Sequence, residues 1–312
     1  MNPLEKILQK QKVLIIDGAM GTELERKGFD IKDALWSAKF LMQNPEAIGE
    51  VHRDYLEAGA DCITTASYQA TFEGFMKLGM CEEEAKALIQ SAVKIALKVR
   101  DTFWDNEANR LNRPKPIIGA SIGPYGAFLA DGSEFRGDYG LSEAELVTFH
   151  RKRMQVLIEA APDILALETI PCFVEAKAYV KLLEEFSPMC AWISFSAKDG
   201  KHINSGERIA ECAAWLDDKE QIVAIGVNCT APQHIESLIA EIRSVSTKPI
   251  IVYPNGGASY DGVSKTWSTQ AQTSSYGKMA HMWHRKGANI IGGCCQTTPE
   301  DIAQIAKWVR ES

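Results

Sequence analysis

The feature that most constrains the fold is a set of eight short apolar runs, rich in β-branched residues, that recur along the whole chain. Segments with the periodicity of amphipathic helices separate them. Strands that alternate with helices pair in parallel, through right-handed crossovers, and have both faces of the sheet buried. The predicted strands are Val13–Ala19, Cys62–Tyr68, Ile117–Gly123, Ile164–Ile170, Ala191–Ala197, Val223–Cys229, Pro249–Asn255 and Ile290–Cys295.

Several of the intervening helices have clear start signals. Asn44-Pro45 predicts a helix with an asparagine N-cap and a proline at the first helical position. Ser142 with Glu145 has the spacing of a capping box. The segment 298–301, Thr-Pro-Glu-Asp, predicts the start of the last helix, with acidic residues at the positive end of the helix dipole.

Eight strand–helix units predict a closed (β/α)8 barrel of the TIM type. The length of 312 residues fits one such barrel of about 250 residues with long loops. An open doubly wound sheet is the alternative, but no G-x-G-x-x-G motif follows the first strand. No flexible linker, low-complexity tract or charge block marks a boundary, so residues 1–312 are interpreted as a single domain.

Polar and reactive residues collect at the carboxyl ends of the predicted strands, where barrel enzymes have their active sites. Asp17 and Glu168 are the carboxylates in this set. Because the strands are otherwise almost wholly apolar, either carboxylate would need a cationic or hydrogen-bonded partner if it is buried.

Three cysteines are the strongest candidates for metal ligands. Cys229 follows the sixth apolar run, and the adjacent Cys294 and Cys295 follow a double glycine after the eighth. Three converging thiolates suit zinc and leave its fourth tetrahedral position open to a substrate. Adjacent residues of a regular strand point to opposite faces, so Gly292-Gly293 must allow a bend if both sulfurs are to face one ion.

Other interpretations of these cysteines stay open on spacing alone. All three could be small buried hydrophobic residues, and they show no local zinc-finger spacing. A disulfide between Cys294 and Cys295 would close a very small, strained ring. Histidine ligands are less well supported, because His281 and His284 have helical spacing away from the strand ends and suit a surface pair.

Composition narrows the class of partner. The formal net charge of −7 and the lack of basic runs interleaved with aromatic residues argue against nucleic acid or anionic lipid. The first twelve residues do not resemble a signal peptide, and no apolar stretch reaches the roughly 20 residues of a membrane span. Eight cysteines without extracellular features indicate cytosolic thiols, so a cytoplasmic location is expected.

The chain resembles the homocysteine S-methyltransferase family over nearly its full length. The motifs that carry the resemblance are Asp17–Thr22 (DGAMGT), Glu168-Thr169, Gly226–Cys229 (GVNC) and Gly292–Cys295 (GGCC). The segments Ser121–Ala127, Asp131–Tyr139 and Tyr253–Asn255 are similar to the branch that uses S-methylmethionine or S-adenosylmethionine.

The resemblance implies a zinc-dependent barrel in which Cys229, Cys294 and Cys295 hold the metal and the homocysteine sulfur is the fourth ligand. It also implies that Asp17 and Glu168 anchor the homocysteine amino group. The backbone at Gly18 and Ala19 would approach the homocysteine carboxylate. Strand-end carboxylates suit an ammonium group, and a turn of small residues exposes N–H donors. Capping or turn roles are the alternative for both carboxylates.

Three further residues are candidates for binding substrate. Trp36 and Tyr68 align with positions that line the methyl-donor pocket in the betaine-using relatives, and aromatic faces would stabilise a sulfonium cation. Ordinary packing is the alternative for both. Asn228, next to a metal ligand, would order either the ligands or the substrate.

The expected reaction is methyl transfer from S-methylmethionine, or less efficiently S-adenosylmethionine, to homocysteine, forming methionine. Three thiolates on one zinc ion leave a net charge of −1, which favours thiol alkylation by a cationic donor, and no general base is needed. The chain is too short for the C-terminal arm of the betaine enzymes or for the extra modules of the cobalamin enzymes. A monomer or weak homo-oligomer acting on small molecules is expected.

Two alternative functions stay open on the sequence. One is a methyltransferase that prefers selenohomocysteine, selenocysteine or another thiol as acceptor, because such acceptors share the amino-acid end. The other is a non-catalytic zinc-binding or thiol-sensing protein, which would need a fourth protein ligand. The polar segment Asp131–Tyr139 is either a lid over the donor or a solvated connector.

Overall fold

A computed structural model describes residues 2–31, 36–257, 259–261, 266–268 and 275–311. Eight parallel strands form its sheet, in the order β1-β10-β7-β6-β5-β4-β3-β2. A parallel bridge between Ile16 and Cys62 joins the two ends of this order and closes a barrel. The strands are β1 (Leu14–Ile15), β2 (Cys62–Thr64), β3 (Ile117–Ile122), β4 (Ile164–Ile170), β5 (Ala191–Phe195), β6 (Ile222–Asn228), β7 (Ile250–Tyr253) and β10 (Ala288–Ile291).

The predicted (β/α)8 barrel is therefore confirmed, and closure rules out the open doubly wound sheet. Two further strands, β8 (Ser259–Asp261) and β9 (Thr266–Ser268), pair antiparallel with each other after β7 and lie outside the barrel sheet. Most barrel strands end earlier than the apolar runs predict. Pairing stops where the chain turns into the loops. Asp17, Tyr68 and the three candidate cysteines therefore lie in loops, whereas Asn228 is the last residue of β6.

Helices form the outer layer of the barrel. Successive long helices pack on one another for most of the way round, and the last one packs on α4 and closes this layer. The helices are α1 (Pro3–Leu8), α2 (Met20–Arg26), α3 (Phe40–Gln43), α4 (Pro45–Ala58), α5 (Phe72–Lys77), α6 (Glu82–Asp105), α7 (Tyr125–Leu129), α8 (Glu143–Glu159), α9 (Phe173–Glu185), α10 (Ile209–Asp217), α11 (Ile235–Arg243), α12 (Tyr276–Lys286) and α13 (Pro299–Arg310).

The predicted helix starts are confirmed at all three signals. The Asn44 side chain accepts a hydrogen bond from the Ala47 N–H at 3.2 Å, just before α4. Ser142 and Thr298 each form a capping box, with Glu145 and Asp301 respectively. These caps satisfy backbone donors that a helix cannot pair internally.

Alternate residues of each strand divide the core into two parts. Along β4, Ile164 and Ala166 face the interior cluster that contains Trp192, whereas Leu165 and Leu167 face the helices. This is the period of two expected of a strand buried on both faces. By the same alternation, Glu168 at the end of β4 faces the barrel interior. No helix in the described part of the chain is long and apolar enough to cross a membrane.

Candidate active site

The three predicted cysteine ligands come together at the carboxyl end of the barrel. The Sγ atoms of Cys229, Cys294 and Cys295 all lie within 4.8 Å of one another. Cys295 is buried, and the other two are half-buried. All eight cysteines are free, so the disulfide alternative for Cys294 and Cys295 is wrong in this structure.

Local backbone geometry explains how adjacent cysteines reach one point. Strand β10 ends at Ile291, and the chain then turns, with the Thr297 N–H donating to the Cys294 carbonyl at 3.0 Å. A side chain at Gly292 would lie 2.7 Å from Ile16, and one at Gly293 would overlap Thr297. The double glycine is therefore needed for close approach of neighbouring segments.

The trio is chemically suited to a soft or borderline divalent ion. Hydrogen bonds from the thiols of Cys229 and Cys295 lower the pKa of Cys294 well below its ordinary value, and sharing with Cys294 raises the pKa of Cys229. Two thiols thus stabilise the thiolate of Cys294. A metal cation bound to the three sulfurs can take the place of the thiol protons. Sulfur donors of this kind suit zinc. Among the described residues the metal-binding group consists of these three side chains.

Two buried carboxylates lie at the same end of the barrel: Glu168 interacts electrostatically with Cys294, and Asp17 interacts electrostatically with Glu168. Asp17 is 3% exposed and accepts hydrogen bonds from Thr64, at 2.8 Å from the backbone N–H and 3.0 Å from the hydroxyl. Glu168 is 8% exposed and accepts a short hydrogen bond from the Ser121 hydroxyl. Both carboxylates therefore have the hydrogen-bonded partners that burial requires.

Burial is the main cause of the high pKa of both acids. It raises the pKa of Glu168 to about 7; hydrogen bonds from Ser121 and Tyr253 lower the pKa, and the Cys294 sulfur raises it. The pKa of Asp17 is also raised, by burial and by the charge of Glu168, against the hydrogen bonds from Thr64. Among the described residues, none of the groups that shift either pKa is a cation. The pair can accept a positive charge from a ligand.

Asn228 and the Gly18-Ala19 peptide, the other candidates for binding substrate, are held by hydrogen bonds to neighbouring segments. Asn228 is 1% exposed and hydrogen-bonds Thr169, the residue after Glu168. The Gly18-Ala19 peptide lies between Tyr55, which donates to the Ala19 carbonyl at 3.1 Å, and Thr297, which accepts from the Ala19 N–H at 3.3 Å. Helix α2 begins directly after Ala19 without a side-chain cap.

Of the two aromatic candidates for the donor pocket, the structure describes the side chain of Tyr68 only. Tyr68 is half-buried, and its hydroxyl donates to Glu134 Oε2 at 3.3 Å. The prediction for Trp36 falls on a side chain outside the described residues. The segment Asp131–Tyr139 packs on the protein, with Ser133 only 3% exposed, and this argues against a freely solvated connector.

Three further residues of the site lie in the motif segments, but the sequence alone assigned none of them a role. Ser121 donates a hydrogen bond to Glu168, Tyr253 lowers the pKa of Glu168, and Glu134 interacts electrostatically with Cys294. Ser121 and Tyr253 lie an even number of residues from the interior-facing Ile117 and Ile251, so strand periodicity places them in the barrel interior. Glu134 lies in the segment Asp131–Tyr139, where no periodic pattern distinguishes this carboxylate from its neighbours.

Residues 14–309 match the family model described as homocysteine S-methyltransferase. Homocysteine S-methyltransferase YbgG of Bacillus subtilis (strain 168) is 60% identical over 310 residues, covering 99% of this chain and 98% of that relative. Selenocysteine Se-methyltransferase of Brassica oleracea var. italica is 46% identical over 303 residues, covering 94% of this chain and 88% of that relative.

A solved structure is similar to this chain over nearly its full length. The homocysteine methyltransferase MmuM from Escherichia coli, in its metallated form, superposes with a TM-score of 0.88 at 40% sequence identity. The alignment covers 98% of this chain and 100% of that one. The similarity therefore extends over the whole barrel.

Proposed function

Because this chain belongs to the homocysteine S-methyltransferase family and is a homocysteine S-methyltransferase, we propose that its metal is zinc and its methyl donor a sulfonium compound. S-Methylmethionine, or less efficiently S-adenosylmethionine, gives a methyl group to the thiol of homocysteine, and methionine is formed. Cys229, Cys294 and Cys295 are the proposed ligands, because their sulfurs lie within 4.8 Å of one another. Bound by this trio, zinc would keep the homocysteine thiol deprotonated and nucleophilic at neutral pH.

A single observation carries the proposal: the sulfur trio and two buried carboxylates lie at the same end of the barrel, and among the described residues no cation contributes to the pKa shift of either carboxylate. Homocysteine has a thiol at one end and an ammonium group at the other. The sulfur site suits the thiol, and Glu168 with Asp17 suits the ammonium group. The uncapped start of α2, after Gly18 and Ala19, supports these residues as the place where the carboxylate binds.

The chain's own residues act by orientation and by exclusion of water. The thiolate sulfur forms a bond to the methyl carbon while the bond from that carbon to the sulfonium sulfur breaks, and the donor leaves as a neutral thioether. No proton moves in this step, so no general base is required beyond the metal site. Holding both reactants on buried side chains supplies much of the rate through orientation.

A selenium acceptor is the second candidate. The plant relative named selenocysteine Se-methyltransferase supports it, at 46% identity. Asp17 and Glu168 would bind the amino-acid end of either acceptor in the same way. Competition between homocysteine and selenocysteine for one labelled donor would rank them.

We also propose that the enzyme acts in the cytoplasm on small molecules, without nucleic acid or a membrane, as a monomer or weak homo-oligomer. The free state of all eight cysteines supports a reducing compartment. Sedimentation of the purified enzyme tests the oligomeric state. A stable large assembly at micromolar concentration would contradict it.

The deciding experiment combines metal analysis with transfer of an isotope-labelled methyl group from S-methylmethionine to homocysteine. The purified enzyme should contain zinc and form labelled methionine. Cys229→Ser and Cys295→Ser should lose both, whereas Cys81→Ser, at an exposed cysteine, should keep both. Full turnover by metal-free protein, or by either ligand variant, would overturn the proposed site.

A further inference from the structure

Glu134 is a carboxylate at the barrel mouth that the reaction as described does not use. Its backbone packs directly against Gly126, where any side chain would overlap the Glu134 N–H. Its Oε2 accepts a hydrogen bond from the Tyr68 hydroxyl at 3.3 Å. It also interacts electrostatically with the Cys294 and Cys295 sulfurs. Glu134 therefore lies at the same end of the barrel as the cysteine trio, beside Tyr68.

Hydrogen bonds to the buried Glu175 fix the segment that carries Glu134. Glu175, fully buried, accepts hydrogen bonds from the Tyr125 N–H and the Tyr139 hydroxyl, each at 2.6 Å. Those two residues flank the segment containing Glu134. His150, also fully buried, lies 2.7 Å from the same carboxylate through Nε2. One anchored carboxylate thus holds the chain on both sides of Glu134.

A second buried side chain fixes Tyr68. The Arg153 guanidinium donates to the Gly123 carbonyl at 2.6 Å and to the Tyr68 carbonyl at 3.4 Å. Arg153 and His150 are themselves 2.9 Å apart, between Nη2 and Nδ1. Glu134 and Tyr68 therefore share one rigid support, as a pre-organised binding pair requires.

Among the described residues, the carboxylate of Glu134 has no cationic partner. Burial raises its pKa to about 7, and the hydrogen bond from Tyr68 lowers it. A buried carboxylate is unfavourable as an anion unless a positive charge lies next to it.

We propose that Glu134, with Tyr68, binds the sulfonium group of the methyl donor and makes the enzyme selective for cationic donors. This inference rests on the proposed function and deepens it. The methyl group must lie between the donor sulfur and the acceptor sulfur. A carboxylate that accepts a hydrogen bond from Tyr68 and interacts electrostatically with the cysteine trio is therefore better placed for the sulfonium than for the distant ammonium group of the donor.

The charges also predict how Glu134 affects the kinetic constants. The sulfonium charge decreases as the methyl group transfers, so Glu134 stabilises the bound donor at least as much as the transition state. Removing its charge should then raise the donor KM and leave kcat similar. Because the thioether sulfur of the product is neutral, Glu134 does not slow product release.

The test uses Glu134→Gln, which keeps an acceptor for Tyr68 and removes the charge. The KM for S-methylmethionine should rise about tenfold or more, as expected for loss of a charge-assisted contact. The KM for homocysteine and kcat should stay within about threefold. Asp138→Asn, an exposed charge of the same segment, is the matched control and should behave as wild type.

A binding measurement separates this inference from the proposed reaction. Trimethylsulfonium has the cationic sulfur but no amino-acid end, and calorimetry gives its affinity for the zinc-loaded protein without turnover. Glu134→Gln should bind it about tenfold more weakly than wild type does. Equal affinities would overturn the role of Glu134 even with wild-type turnover intact. Failure of wild type to use any sulfonium donor would instead overturn the proposed function, whatever the cation affinities are.

Discussion

The side chain of Asn228 holds Thr169 at two points. Its Oδ1 accepts a hydrogen bond from the Thr169 backbone N–H, and its Nδ2 donates to the Thr169 hydroxyl, both at 2.7 Å. Thr169 has a φ of 58° and Cys229 a φ of 47°, both in the left-handed region that is costly for such residues. Because Thr169 follows Glu168 and Asn228 precedes Cys229, this pair links Glu168, a proposed substrate-binding residue, to a proposed metal ligand.

Asn228→Ala should lower kcat/KM for homocysteine by about 10- to 100-fold, the range found for residues that orient metal or substrate ligands. The physical reason is loss of both hydrogen bonds that fix Thr169 in a strained conformation. Asn289→Ala is the control, because Asn289 accepts a hydrogen bond from the Ile250 N–H at 3.1 Å at the opposite end of the barrel. An equal loss of activity in both variants would show that Asn228 acts through stability alone.

Glu168→Gln should raise the KM for homocysteine about tenfold or more, because a neutral amide cannot pair with the ammonium group. The pKa of Glu168 is raised to about 7. Only the ionised carboxylate attracts the substrate, so the wild-type KM should fall as the pH rises from 6 to 8. Steady-state kinetics across this range should show the trend in wild type and not in Glu168→Gln.

Ser121→Ala gives an independent check of that titration. The Ser121 hydroxyl donates to Glu168 and lowers its pKa. Without the hydroxyl, the pH at which the homocysteine KM changes should move upward, to a more alkaline value. A midpoint that does not move would assign the pH dependence to another group.

Tyr139→Phe should weaken the support of the segment that carries Glu134. It removes a 2.6 Å hydrogen bond to the buried Glu175, which is expected to cost about 1.5–3 kcal/mol of unfolding free energy. The KM for S-methylmethionine should rise severalfold while that for homocysteine stays unchanged. Tyr125→Phe is the matched control, since the Tyr125 hydroxyl has no hydrogen-bond partner within the described chain. Equal effects of the two variants on the donor KM would contradict a specific role for the Tyr139 hydroxyl.

His52→Leu should stabilise the protein by about 1–3 kcal/mol without changing activity. His52 is fully buried in α4, and neither ring nitrogen has a hydrogen-bond partner among the described residues. A leucine of similar volume removes two unsatisfied polar atoms. Denaturant unfolding of both proteins at pH 8 measures the difference. Replacing the exposed His281 should change stability by less than about 0.5 kcal/mol.

The gain from His52→Leu should be larger at acid pH. Burial lowers the pKa of His52 to about 4 from an ordinary 6.5. Between these values the unfolded chain binds a proton that the folded chain does not, so wild-type stability falls as the pH decreases from about 6.5 to 4. Burial also lowers the pKa of His150 to about 4. The His52→Leu variant should therefore still lose some stability as the pH decreases, because His150 is unchanged. Parallel stability curves for the two proteins from pH 8 to pH 5 would contradict the shift.

The sequence by itself determined the architecture and the main chemical groups of the site. Eight apolar runs alternating with capped helices indicate a parallel barrel, because strand and helix periodicities are local properties. The same runs end in Asp17, Glu168 and the three cysteines, and parallel strands bring their carboxyl ends to one face. Convergence of these residues therefore follows from topology.

Only the tertiary structure decided which side chains touch one another. Asn228 meets Thr169, and Ser121 meets Glu168, because barrel closure sets the stagger between neighbouring strands. Glu134 reaches the cysteines through a loop anchored on the distant Glu175. Such contacts depend on the backbone path of loops, which has no periodic pattern in the sequence, and on packing between residues far apart in the chain.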